Sequence, residues 1–426
     1  MSMPWYGELP ERWETHKVSE LFAERREKVS DTDYVPLSVS KGGIVPQIAT
    51  VAKSNAGDNR KLVRKGDFAI NSRSDRRGSS GISQYDGSVS LINIVLTPRS
   101  ETNGKYWHYL LKSHNFIEEY YRNGRGIVAD LWTTRLSEMK TVYLPLPPRD
   151  EQDQIVRYLD WKVSQVNKLI NAKRRQIALL GEQKQAVIEA VLSSISANTL
   201  SCRYLGSLQN GISEAGDFFT SGTPFVNYRD VYKNEILPST VNGVAKANAK
   251  QQETYSVVKG DIFFTRTSET IDEVGLTAVC DETIPQAVFS GFVIRFRPQK
   301  DTFHNPYARY FFRSKRVRDY FIQEMNLVTR VSLGQTLLKN LPVLLPDLET
   351  QRSVSMQLDK SCNAIDKVTT KLNEEIALFA EYRTRLISDV VTGKLDVRGV
   401  VVPEYEKVDD SVVVEDDNDT MEIDEQ

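Results

Sequence analysis

The sequence predicts an α+β protein with a pseudo-two-fold internal repeat: two mixed α/β units separated by two long helices that pair as an antiparallel coiled coil. Three observations predict it. The helical segments repeat without a gap, each carries a heptad seam, and a looser repeat of strand and turn signals lies upstream of each. With 426 residues, 40% of them hydrophobic and 26% charged, the chain is long enough for two or three domains, each with its own core.

The repeat sets the boundaries. Shifting the sequence by 199 residues places Pro147 on Pro346, Gln152 on Gln351, Leu159 and Asp160 on Leu358 and Asp359, and Lys168 on Lys367. The same shift places Ile177, Ala178 and Leu179 on Ile376, Ala377 and Leu378, and Glu182 on Glu381. Upstream, VRKGDFAI (63–70) matches VVKGDIFF (257–264) at a shift of 194. The expected organisation is a first unit over 1–146, a helical region over 147–196, a second unit over 197–345, a second helical region over 346–399 and an acidic tail over 400–426.

Within each unit, strand signals precede aromatic-rich helices. SLINIVL (90–96) and TVYLPL (141–146) read as strands in the first unit, DIFFTR (261–266) and GFVIRF (291–296) in the second. KYWHYLLKSHNFIEEYYRN (105–123) and NPYARYFFRSKRVRDYFIQEM (305–325) read as helices in the same order.

The helical regions carry more than simple amphipathicity. Leu159, Val163, Val166, Ile170, Lys173, Ile177, Leu180, Lys184, Val187 and Val191 alternate in steps of four and three, the seam of a heptad. Leu358, Cys362, Ile365, Thr369, Leu372, Ile376, Phe379, Arg383, Leu386 and Val390 take the equivalent places. Each helix starts after prolines with acids in its first turn (Asp150, Glu151; Asp347, Glu349), and Gly393 ends the second. A whole unit lies between the two seams in sequence, so antiparallel pairing is the simplest arrangement. At about 1.5 Å per residue, some 38 residues would span roughly 55–60 Å, more than the ~34 Å of one DNA turn.

Composition narrows the class. Residues 400–426 hold eleven acids and the single base Lys407, a net of −10, so the overall −2 leaves residues 1–399 at +8. A basic body suits a polyanion and also suits simple solubility. The tail has no periodic apolar face and is expected to be disordered. No apolar run approaches the ~18 residues of a membrane span, and the opening residues lack a secretory pattern. Cys202, Cys280 and Cys362 are odd in number and far apart, which suits reduced thiols and a cytoplasmic location.

Candidate DNA-contacting residues cluster in loops. After the first KGD turn, Arg73, Ser74, Arg76 and Arg77 form a dense donor set fit for phosphates and guanine edges, and Arg60 and Lys61 lie just before that turn. After the second KGD turn come Arg266, Thr267 and Ser268. Ahead of each long helix, Arg125 and Arg135 in the first unit match Arg330, Ser332 and Gln335 in the second. Trp132 reads either as a contact residue or as a core aromatic, Arg229 as a base reader or as the partner of Asp230, and Lys246 and Lys250 as phosphate contacts. A solvated loop is the bland alternative for all of them.

Catalytic chemistry is thin. The four histidines form no HExxH or His/Cys cluster, and neither GxGxxG nor GxxxxGK[ST] occurs, so no metal and no nucleotide cradle is written into the sequence. Asn305-Pro306-Tyr307 resembles part of an amino-group methyltransferase pocket but opens a helix, where proline is structurally expected.

The opening LPERWETHKVSELF (9–22), the KGD turns, TPFVNYRDV (223–231), and LPLPPRDEQDQIVRYLD (144–160) with its echo LLPDLETQRSVSMQLD (344–359) resemble the specificity subunit of type I restriction-modification systems, the HsdS family. The resemblance covers roughly residues 5–399; Thr350 departs from the adjacent Glu-Gln pair in the second copy, and the acidic tail is outside the pattern. It implies two target-recognition domains, each reading one half of a split, asymmetric double-stranded DNA target, with the helices setting the gap. It also implies a non-catalytic chain that carries no cofactor. Two methyltransferase (M) subunits and the restriction/translocase (R) subunits would supply S-adenosylmethionine, ATP and Mg chemistry. The competing expectation is a coiled-coil adaptor with an incidental basic surface; an autonomous DNA enzyme is a further one.

Overall fold

The computed structural model describes residues 4–47, 59–99, 103–126, 132–268, 273–324 and 331–408. The chain forms two compact units, Met1–Arg175 with Leu372–Ile423 and Gln176–Lys371. The long helices run over Arg149–Ser193 and Leu348–Val391, and each gives one half to each unit.

The first unit is built on a four-stranded antiparallel sheet in the order Phe22–Glu24, Asn93–Pro98, Phe68–Asn71, Ser80–Ile82. A three-stranded sheet (Lys28–Val29, Arg60–Val63, Gly87–Ser90) and a hairpin (Leu37–Ser40, Gly43–Pro46) complete its upper lobe. The second unit repeats the main sheet: Gly206–Asn210, Val293–Pro298, Ile262–Thr265 and Thr277–Val279 are ordered in the same way. Its second lobe is a mixed sheet, Gly243–Ala245, Thr223–Val226 and Val288–Phe289, the last pair parallel. The central strands FAIN and IFFT are buried at every position, because both faces of the sheet are covered; this is why they read as apolar runs.

The KGD motif that precedes each central strand has a structural explanation. Its glycine takes a positive φ (Gly66 +92°, Gly260 +91°), a conformation in which a side chain is strained. Its buried aspartate closes the turn, accepting Arg64 N at 2.8 Å in one unit and Val258 N at 2.8 Å in the other. The same carboxylate then receives an arginine. Arg25 donates to Asp67 at 2.6 and 3.1 Å, and Arg297 to Asp261 at 2.6 and 2.7 Å.

The segments expected as single helices over 105–123 and 305–325 are each two helices, Gly104–Leu111 with His114–Arg122 and Asn305–Phe312 with Lys315–Glu324. A buried serine breaks each. Ser113 is extended and accepts from Phe116 N, and Ser113 and Ser314 return their hydroxyls to Leu110 O and Phe311 O at 2.7 and 2.6 Å. Asn305-Pro306-Tyr307 is likewise structural. Asn305 donates to Cys280 O and Asp281, and Tyr307 to Leu344 O at 2.8 Å.

Each unit is fixed to its helix by the same set of bonds. Gln152 Nε2 donates to Pro147 O (2.9 Å) while its Oε1 accepts Asn103 N (3.1 Å); Gln351 repeats this with Pro346 O (2.9 Å) and His304 N (2.8 Å). Tyr106 and Tyr307 donate to Pro145 O and Leu344 O, and Tyr109 and Tyr310 to Asp160 and Asp359 at 2.8 Å each. Lys105 and Arg309 pair with those aspartates. Of the residues that superimpose in the sequence repeat, Gln152/Gln351 and Asp160/Asp359 are the ones bonded in this joint of sheet domain to helix.

Helix pairing is antiparallel within each unit. In the first, Leu159 and Val163 share a core with Leu386 and Val390, Lys173 pairs with Glu375, and Arg383 donates to Asn167 at 2.8 Å. In the second, Ile188 and Leu192 pack with Val354, Leu358 and Cys362, and Lys184 pairs with Asp366 at 2.9 Å. The polar seam positions Lys173, Lys184 and Arg383 thus find partners across the seam, which favours one register. Leu159, Val163, Val166, Ile170, Leu358 and Leu386 are buried; Ile177, Leu180, Val187, Ile365, Leu372, Ile376 and Phe379 are half-buried.

Residues 400–408, expected as part of a disordered tail, lie against the first unit. Gln154 donates to Val397 O and Val400 O, Ser164 to Glu406 O, and Lys168 pairs with Glu406, while Val400 and Val402 pack on the core. Paired backbone and apolar side chains hold this stretch despite its acidic neighbours; residues 409–426 lie outside the described residues. Glu151 also has a role here. Buried, it accepts Trp13 Nε1 at 2.6 Å and pairs with Arg12 and Arg398. Thr350, at its place in the second copy, instead donates to Asp347.

Replacing Asp261 by alanine leaves Arg297 without its carboxylate and should destabilise the second unit by about 3 kcal/mol. Hydrogen exchange should then show lost protection in Ile262–Thr265 and retained protection in Phe68–Asn71.

Candidate nucleic-acid interface

In the first unit, strand Phe68–Asn71 delivers the chain into a short 3-10 turn, Ser74–Arg76, at one end of the main sheet. Backbone bonds tie this loop to the segment ahead of the long helix: Ser74 N to Trp132 O (3.1 Å), Thr134 N to Ser72 O (2.9 Å), and a bridge between Arg73 and Thr133. A second bridge joins Arg125 to Thr133. The fold therefore gathers Arg73, Ser74, Arg76, Arg77 and Arg125 with Arg135 nearby, and all five arginines are exposed. Arg77 pairs with Glu118 and lies 5.5 Å from the centre of the Tyr121 ring; Arg125 pairs with Glu138 at 3.6 Å. An open cleft of about 690 Å³, lined by Ser74, Arg77, His114, Tyr121 and Trp132 among others, adjoins the loop.

Trp132 is half-buried and anchored. Its Nε1 donates to Tyr121 O at 2.8 Å, and Gly124 is packed so closely that a Cβ there would lie 2.4 Å from that nitrogen. It shapes the loop from within. Arg60 and Lys61 face inward as well: Arg60 is buried and donates to Ser88, and Lys61 donates to Asn93 O at 2.7 Å. Burial lowers the pKa of both. These two serve the sheet and leave the interface to the loop arginines.

The second unit builds the same end of the sheet from other residues. Leu333 N donates to Arg266 O at 2.7 Å, and strand Thr267–Ser268 pairs with Val331–Ser332, so Arg266, Thr267, Ser332 and Gln335 come together. Arg266 donates through Nη1 to Gly291 O at 3.2 Å, and Gln335 donates to Asn210 at 3.0 Å. Arg330 lies outside the described residues, and so does the side chain of Ser268. Arg229, Lys246 and Lys250 are exposed on the second lobe, around the three-stranded sheet. Asp230 bonds to Asn227 N at 2.9 Å, so it caps its own helix. Burial raises its pKa.

No group of three or more His, Cys, Asp or Glu suited to holding a metal ion occurs among the described residues. The three thiols are buried, and burial pushes Cys202 and Cys280 up to about 12, so neither is a reactive thiolate.

Each unit carries an antiparallel main sheet joined to the long helices and a donor-bearing loop at one end of that sheet, with exposed arginines in the first unit and half-buried Arg266 beside Thr267 and Ser332 in the second, a surface chemistry suited to nucleic acid. The family described as "Type I restriction modification DNA specificity domain" matches residues 10–179 and 211–378. The chain belongs to this family, and its function is that of the DNA specificity subunit of a type I restriction-modification system. One solved chain, from a study of complex assembly and conformational transition of the type I R-M system, matches at TM-score 0.62 and 16% identity, over 91% of this chain and 100% of its own. The HsdS subunit from Thermoanaerobacter tengcongensis matches at TM-score 0.41 and 16% identity over 91% and 98%, and the type I S subunit from M. genitalium at 0.35 and 14% over 95% and 100%. Comparison with curated proteins gives no match.

The second-unit loop was the harder one to find from sequence, because its single arginine is followed by acids. The residues missed entirely are the aspartates of the KGD turns and the exposed apolar tips beside each loop. Replacing Arg73 by alanine should weaken selection at one half-site by roughly 5- to 150-fold, equivalent to about 1–3 kcal/mol, and leave the other half unchanged. Mapping methylated positions with the assembled methyltransferase checks this.

Proposed function

We propose that each unit reads one half of a bipartite, asymmetric DNA target, that the shared helices set the gap, and that the chain itself performs no catalysis. The observation that carries the reading is one scaffold with two surfaces. The main sheets have the same strand order and the same helix clamp, whereas the loop at the sheet end is Arg73-Ser74-Asp75-Arg76-Arg77 in one unit and Arg266-Thr267 in the other. Equal frames with unequal donors select two different half-sites. S-adenosylmethionine, ATP and Mg chemistry belongs to partner subunits, with the assembly at work in the cytoplasm; no described helix is long and apolar enough to cross a membrane.

Partner recruitment follows from the helices. Leu169 and Val368 are each 47% exposed, and Leu179 and Leu378 are 62% and 65% exposed. Each pair superimposes under the 199-residue shift. By heptad position they share a flank of the helix: Leu169 and Val368 immediately precede a seam residue, and Leu179 and Leu378 follow one by two, about 60° away. The first unit therefore presents Leu169 with Leu378, and the second Leu179 with Val368. An apolar flank that occurs twice suits two copies of one partner, the methyltransferase subunit. Restriction/translocase subunits would join the same assembly.

Replacing Leu169 and Leu378 by serine should remove one of two bound methyltransferase subunits, read as mass by native mass spectrometry. Inserting four residues into each long helix, about one turn, should change the spacer in the methylated target and keep both half-site sequences. Stable methyltransferase binding without salt-sensitive DNA binding would identify the chain as an adaptor instead.

A further inference from the structure

We propose that Phe292 in the second unit, and Ile92 at the same place in the first, are apolar base readers that touch DNA beside the loop arginines; this rests on the DNA-reading role proposed above. Among the described residues, Phe292 is the only phenylalanine that is exposed, at 59%. It stands at the tip that leads into strand Val293–Pro298; Ile92, 38% exposed, stands at the tip that leads into Asn93–Pro98. One exposed apolar side chain needs no explanation. Two at repeat-related positions, each against a cationic loop, do.

The tips are held firmly against those loops. Phe292 O accepts Arg266 N at 2.9 Å, as Ile92 O accepts Ser72 N at 3.3 Å, so each apolar tip is bonded to the start of the loop that carries the donors. The Arg266 guanidinium donates to Gly291 O, which puts the cation next to the ring's own turn. Phe292 N donates to Ser290 Oγ at 3.2 Å, Val293 N to Ser290 O at 3.0 Å, and Gly291 N to Ile212 O at 2.7 Å. Gly291 has no room for a side chain, since a Cβ would lie 2.1 Å from Ser213 Oγ. A tip whose backbone is fixed in this way loses little freedom when it meets a partner.

The partner chemistry follows from the neighbours. A surface of guanidinium and hydroxyl donors takes a nucleic acid, and the features of a base pair that an apolar group can use are the thymine methyl group and the faces of an opened base step. The difference in size between Phe292 and Ile92 matches two units that read different half-sites.

The test uses the full chain assembled with its methyltransferase partner, duplexes carrying its mapped target, and anisotropy titrations across a salt series. Replacing Phe292 by alanine should weaken binding roughly 5- to 150-fold and relax methylation specificity in the second-unit half-site alone, because the loss is of one base contact. The salt slope should not change, whereas Arg266→Ala should lower it by about one. Ile92→Ala should act on the first half-site in the same way, and Phe292→Leu should retain part of the affinity. Uracil in place of a half-site thymine reproduces the loss for a methyl contact. For a wedge, uracil is without effect, and the fluorescence gain of 2-aminopurine at the opened step disappears in Phe292→Ala. Wild-type affinity and methylation in both alanine variants, with Arg266→Ala and Arg73→Ala impaired, would overturn this proposal and leave the DNA-reading role standing. Absence of salt-sensitive binding by the wild-type complex would overturn both.

Discussion

A buried glutamine side chain, satisfied at both ends, fixes each sheet domain to its helix. Gln152 and Gln351 are almost fully buried, and each donates to a proline carbonyl five residues back and accepts the backbone N–H that starts the aromatic helix. Leaving such a group unsatisfied costs about 1–3 kcal/mol. A glutamine in this geometry therefore admits only one orientation of domain on helix. The tyrosines add direction: Tyr106 and Tyr307 bond to the strand before the helix, and Tyr109 and Tyr310 to an aspartate about three turns into it. The donor-bearing loops leave the opposite end of the sheet, so any looseness at this joint would reappear as misplacement there.

This joint also explains how much could be read from the sequence. Part of this joint is identical in both copies, and Gln152/Gln351 with Asp160/Asp359 are among the matches that reveal the repeat. The heptad seam was legible for the same reason, since burial against a partner helix imposes a spacing. What escaped notice was chemistry that leaves no periodic trace. Ser113 and Ser314 break helices that pattern alone would continue, because a buried hydroxyl competes for the backbone. Glu151 looked dispensable, given that Thr350 replaces it, yet only the first unit must fasten the segments around residues 12 and 398. Arg60 and Lys61 looked like surface cations, and strand pairing turned them inward. Residues 400–408 carry the charge of the tail but also Val400 and Val402, which pack on the first unit.

Differences between the two loops complement that constancy. In the first unit, Arg77 and Arg125 are held by Glu118 and Glu138; exposed pairs of this kind are worth roughly 0–1 kcal/mol. That is small beside the ~1–3 kcal/mol of a good base contact, so on the proposed reading the acids would yield to the right sequence. They weigh more against contacts made to phosphate alone, whose contribution is purely ionic and salt-screened. An arginine-rich surface thereby keeps its selectivity without surrendering its charge.

The second unit resolves the same problem with fewer charges. Among the described residues, the Arg266 guanidinium donates to the Gly291 carbonyl, and next to it the unit presents the large ring of Phe292. Ionic contacts are blind to sequence, whereas apolar contact to a base is not. On the proposed reading, a described surface with one guanidinium beside one ring would draw proportionally more of its affinity from the base sequence than a surface of five arginines would. The two halves of the target would then be read on different balances of charge and shape, while the duplicated sheets and helix joints keep the geometry the same.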